Sequence, residues 1–468
     1  MDRLNPTLLP ALVNVAVPRY DRAAVAPGIV HVGVGGFHRA HEAVYLDDLM
    51  GQGMTDWAIA GVGLRSADRA MRDALAPQDG LYTVVTRDQG GDEARVIGSL
   101  TRYLFAPEQA SEVRDVLALP ATRIISMTIT EGGYADTEDN PEDVFALLAD
   151  ALDRRRQAGV APFTVLSCDN LPHNGDVARR ALLAAAGRRV PDLSAWIEAN
   201  VACPNGMVDR ITPQTTDADR LMVRERFGLD DAWPVVCEPF RQWIIEDKFS
   251  AGRPPLEDVG AQIVADVAPY EQMKLRLLNA SHSAMAYLGF LAGFGYVHEV
   301  MADDLFIGYI RRLMDDEVTP LLAPVPGVDL VDYKATLLTR FANPAIGDQV
   351  TRICLDGSSK FPKFLLPSLG DALASGRPSR LLTLAVAGWF RYLSGEDESG
   401  RPFAVDDPQA ADLQARARQG RADPRPLLAR TDLFGGLAQS ARFVADLSFD
   451  LEDLYSQGAR VTLMGALA

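Results

Sequence analysis

Gly28-Ile-Val-His-Val-Gly-Val-Gly35, followed by Gly36-Phe-His-Arg-Ala-His-Glu-Ala-Val-Tyr-Leu-Asp-Asp-Leu-Met50, is the stretch that decides the fold. Its first part is β-rich and closes in glycines; its second part predicts a helix. A strand that passes through glycines into a helix is the opening unit of a dinucleotide-binding α/β fold. The glycines permit the tight turn, and backbone N–H groups at the helix N-terminus meet a pyrophosphate. The match to G-x-G-x-x-G is incomplete, because His38 stands where the third glycine belongs. A glycine-rich turn without a ligand would look the same. The cofactor candidates in this turn are Gly33, Val34, Gly35, Gly36, Phe37, His38 and Arg39.

The pattern continues outward. Trp57-Ala-Ile-Ala-Gly-Val-Gly-Leu64 predicts a second strand, and Thr122–Thr130 and Phe163–Cys168 predict later, buried ones. Helical patterns lie around 69–75, 107–118, 141–158 and 176–186. This alternation predicts an α/β, Rossmann-type doubly wound domain over residues 1–265. From about Pro269 long helical runs take over, broken by loops such as Pro320-Leu-Leu-Ala-Pro-Val-Pro-Gly327. Residues 266–468 therefore read as a mainly α-helical domain that carries substrate and catalytic groups.

Composition excludes several classes. A chain of 468 residues with 48% hydrophobic and 23% charged content has the make-up of a globular protein with two or three domains. A net charge of −17 argues against nucleic-acid and anionic-membrane partners. No apolar run approaches about 18 residues, so no membrane span is expected, and Met-Asp-Arg-Leu-Asn-Pro at the start lacks the form of a signal peptide. The four cysteines (Cys168, Cys203, Cys237, Cys354) are widely spaced and read as reduced thiols in a cytoplasm. A monomer acting on a small molecule is expected.

After the second strand comes Gly63-Leu-Arg65-Ser-Ala-Asp68-Arg69. A carboxylate there can accept both adenosine ribose hydroxyls and repel a 2′-phosphate, which favours NAD over NADP. Asp68 lies further along than usual, and Arg65 and Arg69 beside it can receive a phosphate. The turns at 130–134, 167–175, 208–213 and 352–363 are dense in polar groups and fall where strands end.

A second chemistry-bearing stretch is Glu271-Gln-Met-Lys274-Leu-Arg-Leu-Leu-Asn279-Ala-Ser-His282. It predicts a helix near the domain junction, where small-molecule sites usually lie. At about 100° per residue, Glu271, Lys274, Asn279 and His282 share one arc of about 140° with Leu275 and Leu278. A neutral lysine can take a proton from an alcohol, and an amide can hold the resulting oxygen. A helix end with a few solvated polar groups would show the same spacing. Burial, and Arg276 nearby, would lower the lysine pKa; an ionised Glu271 would oppose this. His38 and His41, three apart, can ligate zinc in principle, but no further His, Cys or carboxylate completes a set, so no metal is expected.

These motifs together resemble the polyol-specific long-chain dehydrogenases, the mannitol dehydrogenase family. The resemblance is carried by Gly33–His41, Thr128-Ile-Thr-Glu-Gly-Gly-Tyr134, Ser167-Cys-Asp-Asn-Leu-Pro-His-Asn-Gly175 and Val208-Asp-Arg-Ile-Thr-Pro213. Trp233-Pro-Val-Val-Cys-Glu-Pro-Phe240, the K-x4-N-x2-H signature at Lys274, Asn279 and His282, and Asp356-Gly-Ser-Ser-Lys-Phe-Pro-Lys-Phe364 extend it. It runs in order from about residue 29 to 364. The segment between Tyr134 and Arg154 is shorter than the family pattern, which bears on substrate range.

The resemblance implies metal-free oxidation of a polyol by NAD, D-mannitol giving D-fructose. It assigns Lys274 as general base, Asn170 and Asn279 as the groups that hold the oxygen, His282 as orienting group and Glu271 as proton relay. It places Asp209, Arg352 and Lys360 at the outer hydroxyls, and Glu131 with Asp68 and Arg69 at the cofactor. An arabinitol or other polyol dehydrogenase would share nearly all of this. A hexuronate reductase of the same superfamily would need a cation for the substrate carboxylate, for which Arg352 or Lys360 would serve. A non-catalytic NAD sensor need not keep Lys274, Asn279 and His282 together.

Overall fold

A computed structural model describes residues 2–135 and 143–468. The chain divides into two compact units, one ending at Ala268 and the other running Pro269–Ala468.

The first unit is built on five parallel strands among the described residues: β1 (Pro27–Val32), β2 (Ala58–Gly63), β3 (Leu100–Phe105), β4 (Ile124–Met127) and β5 (Thr164–Ser167). Their order is β3-β2-β1-β4-β5. The inner strands are largely apolar on both faces because both are covered, while the edge strand β3 exposes Arg102. Ile29 and Ile59 face a core with Val44, Tyr45 and Leu49. Val30, Val62, Ile125 and Val165 face another with Leu117, Leu148 and Leu182. The order reverses between β1 and β4, so the loops beyond their carboxyl ends diverge and leave a crevice.

Several strands were not legible as strands. Tyr82–Asp88 and Gly91–Ile97 form an antiparallel hairpin, with Val235–Cys237 added in parallel. Gln242–Glu246 pairs antiparallel with Gly206–Asp209, setting Asp209 opposite Gln242. Their alternation is masked by charged residues such as Arg87, Asp92 and Arg95 on the hairpin.

The helix expected over 36–50 is two helices, Gly36–Ala40 and Glu42–Gly51, broken at His41 (φ −121°, ψ −90°). Tertiary contacts compete for the carbonyls that would continue it. Tyr82 donates its hydroxyl to the Arg39 carbonyl at 2.8 Å, and Arg210 donates to that of Ala40. His41 Nε2 turns away to donate to the Gln242 carbonyl at 2.8 Å.

The second unit is helical. Arg380–Tyr392 is buried at every position from Leu381 to Tyr392, as expected of a helix apolar on all sides. Its first turn is held by Glu317, whose carboxylate accepts the N–H groups of Leu381 and Leu382 at 2.8 Å each, an anion at the positive end of the helix. Among the described residues no helix is long and apolar enough to cross a membrane.

Burial pushes His41 down to about 3 and His38 well below its ordinary value. An unfolded histidine titrates near 6.5, so the stability from keeping the His41 ring neutral is present above pH 6.5 and is lost as pH falls toward about 3. Within that window it contributes a slope of about 1.4 kcal/mol per pH unit. Urea unfolding of wild type and His41→Asn at pH 7 and pH 4.5 is expected to show the shallower pH dependence in the variant; equal slopes would remove His41 from the acid sensitivity.

Candidate functional site

In the first unit the glycine turn is set by close approach. Gly33 has φ +91°, and a Cβ there would lie 2.2 Å from the Thr128 carbonyl oxygen. Thr128 Oγ1 donates to the Gly33 carbonyl at 2.6 Å, tying the end of β1 to the end of β4. Beyond the turn lies a cavity of about 240 Å3, lined among others by Gly33, Arg65, Asp68, Thr128, Thr130 and Gly132. Asp68 is partly buried and accepts the Arg65 backbone N–H at 2.9 Å.

Two expected cofactor residues are turned elsewhere. Arg39 is fully buried; its guanidinium donates to the carbonyls of Gly35 and Trp233, so it supports the turn from within. Arg69 pairs with Glu108 and lies over the Phe105 ring. Glu131 opens a short helical turn, Glu131–Tyr134, and is exposed. Of the segment between Tyr134 and Arg154, expected to be short, residues 136–142 lie outside the described residues, and the helix Val144–Gln157 covers the rest from Val144 on.

His38 and His41 do not converge. His38 stacks on His31, with centroids 3.5 Å apart and planes 14° apart. Glu42 Oε2 lies 2.9 Å from His31 Nδ1 and 3.7 Å from His38 Nε2. The spacing of the sequence missed this His–His–Glu cluster because His31 comes from the strand. An ion lies close to the plane of each imidazole that binds it, and two rings stacked in nearly parallel planes 3.5 Å apart are a poor fit to one tetrahedral ion.

Asp169 is the organising carboxylate. It accepts the N–H groups of Ile129 and Thr130 at 3.0 and 2.9 Å and the Tyr134 hydroxyl at 2.6 Å. Thr130 sits at φ 64°, a strained conformation for a β-branched residue that needs such support. Asn174 bonds the carbonyls of Ser167, Asp169 and Gly206, and accepts the Gly206 N–H. This joins the loop of Asn170 to the strand of Asp209. Asn170 is exposed, whereas Asp209 is buried. Asp169 and Asn174 lie in the quoted polar turns, but only the fold reveals their partners.

In the second unit the helix of Lys274 departs from regular geometry. Ala268–Met273 is α-helical, Lys274–Asn279 is a π-helix, and Ala280–Leu291 is α-helical again. The wider turn replaces the uniform 100° spacing of the sequence argument; such turns are frequent at functional sites. Lys274, Glu271 and Asn279 are buried, and His282 is half-buried with its ring 4.3 Å from that of Phe341. Arg276 bonds Gln272 and Asp371.

Two further helices pack on this one. Gly357–Phe364, which carries Lys360, packs against the Lys274–Asn279 turn, and Val350–Ile353, which carries Arg352, packs against Ala280–Leu291. Lys360 Nζ donates to the Ile353 carbonyl at 3.0 Å; burial, with Arg352 nearby, lowers its pKa. Arg352 makes a two-pronged pair with Asp348 at 2.6 and 2.7 Å.

A doubly wound sheet with this glycine turn and a carboxylate at its cavity defines a Rossmann-type dehydrogenase with a helical second domain. The profile of the mannitol dehydrogenase Rossmann domain matches residues 27–258 and that of the mannitol dehydrogenase C-terminal domain residues 266–455. Mannitol 2-dehydrogenase of Phaeosphaeria nodorum is 50% identical, over 98% of this chain and 85% of that one. The Pseudomonas fluorescens mannitol 2-dehydrogenase, solved as a ternary complex with NAD and D-mannitol, is 48% identical with a TM-score of 0.89 over 99% of both chains. A D-sorbitol dehydrogenase in substrate-free form is 36% identical with a TM-score of 0.91, covering 99% of this chain and 100% of that one. The chain belongs to the mannitol dehydrogenase family.

Asp169→Ala leaves three donors without their acceptor. It is expected to cost about 1–3 kcal/mol in urea unfolding and to speed hydrogen exchange at Ile129 and Thr130. Unchanged exchange at both amides would show that Asp169 does not hold this loop.

Proposed function

We propose that this chain is an NAD-dependent, metal-independent polyol dehydrogenase that converts D-mannitol to D-fructose in the cytoplasm. The observation that carries the reading is the buried Lys274 at the head of a π-helical turn that ends in Asn279. The mannitol and NAD of the Pseudomonas relative name the substrate and cofactor. The buried thiols of Cys168, Cys237 and Cys354 suit a reducing compartment.

The roles follow from chemistry. Lys274, as the free amine, takes the proton of the secondary hydroxyl. Asn279 and Asn170 offer amide N–H donors to the oxygen as it gains charge; one well-placed donor contributes about 2.7–4 kcal/mol. NAD, when bound, supplies the acceptor for the hydride. His282 orients the hydroxyl, and Glu271 passes the proton from the amine toward solvent. Asp209, Arg352 and Lys360 contact the outer hydroxyls. The Arg352–Asp348 pair favours a neutral polyol over a hexuronate, because the guanidinium already has its carboxylate.

A panel of mannitol, arabinitol, sorbitol and a hexuronate, read by NADH absorbance, tests the reading. Mannitol turnover is expected to persist in EDTA; activity lost to the chelator and restored by zinc would overturn the metal-free mechanism.

Lys274→Ala is expected to lower kcat by about 10²–10⁴ with NADH binding intact. In the wild type, polyol oxidation rises with pH, since it needs the free amine, and ketose reduction falls. An alanine variant with wild-type turnover would take Lys274 out of the mechanism.

A further inference from the structure

Building on the NAD-dependent reading above, we propose that Glu108 selects NAD against NADP by holding Arg69 and Arg72 away from the adenosine ribose. Asp68 is fixed at the cavity: the Tyr103 hydroxyl bonds its carbonyl at 3.2 Å, and its Cβ would lie only 2.7 Å from a Cβ on Gly63. Arg65 is engaged with Asp68 itself, at 3.5 Å. The next cations in the chain are Arg69 and Arg72, three apart and so on one face of the helix Arg69–Leu75. Both meet one carboxylate: Arg69 Nη1 reaches Glu108 Oε1, and Arg72 Nη1 reaches Oε2, while Arg72 Nε also pairs with the neighbouring Asp73. Both guanidinia also lie over the Phe105 ring, at 5.0 and 5.3 Å. Arg72 first, then Arg69, hold the Glu108 carboxyl below its usual range.

A 2′-phosphate brings close to two negative charges to the hydroxyl that Asp68 would receive, and its accommodation needs an arginine free to turn to it. Glu108 acts against this twice, by engaging both guanidinia and by adding a negative charge of its own. A single exposed ion pair contributes little; here two arginines share one carboxylate and one ring, which fixes their direction. Removing the Asp68 charge alone releases Arg65 but leaves Arg69 and Arg72 held at Glu108.

The test adds Glu108→Gln to Asp68→Ser and measures adenosine 2′,5′-bisphosphate binding by calorimetry alongside kcat/KM for NADP and NAD with mannitol. The expected result is a further gain of about tenfold in bisphosphate affinity and in the NADP-to-NAD ratio, the size of one charge-assisted contact. The gain is expected to vanish when Arg69→Ala and Arg72→Ala are added. A gain that survives both alanines, or no gain in bisphosphate affinity, overturns the proposal. Binding and turnover separate the two readings. Mannitol turnover with unchanged bisphosphate binding sinks only the role of Glu108. Raised bisphosphate affinity in a chain without mannitol turnover supports Glu108 and sinks only the polyol assignment.

Discussion

The first unit depends on one close approach, that of Gly33 to the Thr128 carbonyl, where a side-chain carbon would stand 2.2 Å from the oxygen. Only a glycine lets the end of β1 come so near the end of β4. Once they meet, Thr128 can bond the Gly33 carbonyl, and His31, buried on β1, reaches Ser126 and Thr128 on β4. The crevice opens beyond this seam. Asp169, at the end of the next strand, then gathers the loop that leaves β4, including the strained Thr130. Gly33, Gly132 and Gly133 share the wall of the cavity with Leu64, Arg65 and Ile129.

The second unit solves a different problem. A lysine, an asparagine and a glutamate are buried in one stretch of helix, where each must be hydrogen-bonded or paired. The π-helical turn changes the direction of side chains on either side of it, so the groups of Glu271, Lys274 and Asn279 are not arranged as on a regular helix. Nearby cations are paired, Arg276 with Asp371 and Arg352 with Asp348.

By itself the sequence determined the fold class and the family. Strand–glycine–helix order, the polar turns after apolar strands and the Lys274, Asn279, His282 spacing are local patterns, and local patterns survive without coordinates. Four of the five parallel strands were legible for the same reason, since doubly buried strands are continuous apolar runs; β3, interrupted by Thr101 and Arg102, was not.

What only tertiary structure decided depends on residues far apart in the chain. The break at His41 arises because Tyr82 and Arg210 take the carbonyls of Arg39 and Ala40. The destinations of Arg39, Arg69 and Arg276 were set by Trp233, Glu108 and Asp371, partners that no spacing rule connects. The hairpin strands at 82–97 escaped because their exposed positions are charged and only pairing defines them. The His31–His38–Glu42 cluster joins a strand to a helix, and the π-helical turn is settled by packing around it, not by propensity. An arginine or a histidine has a chemistry legible from its type, but its direction is chosen by whichever acceptor the fold brings within reach.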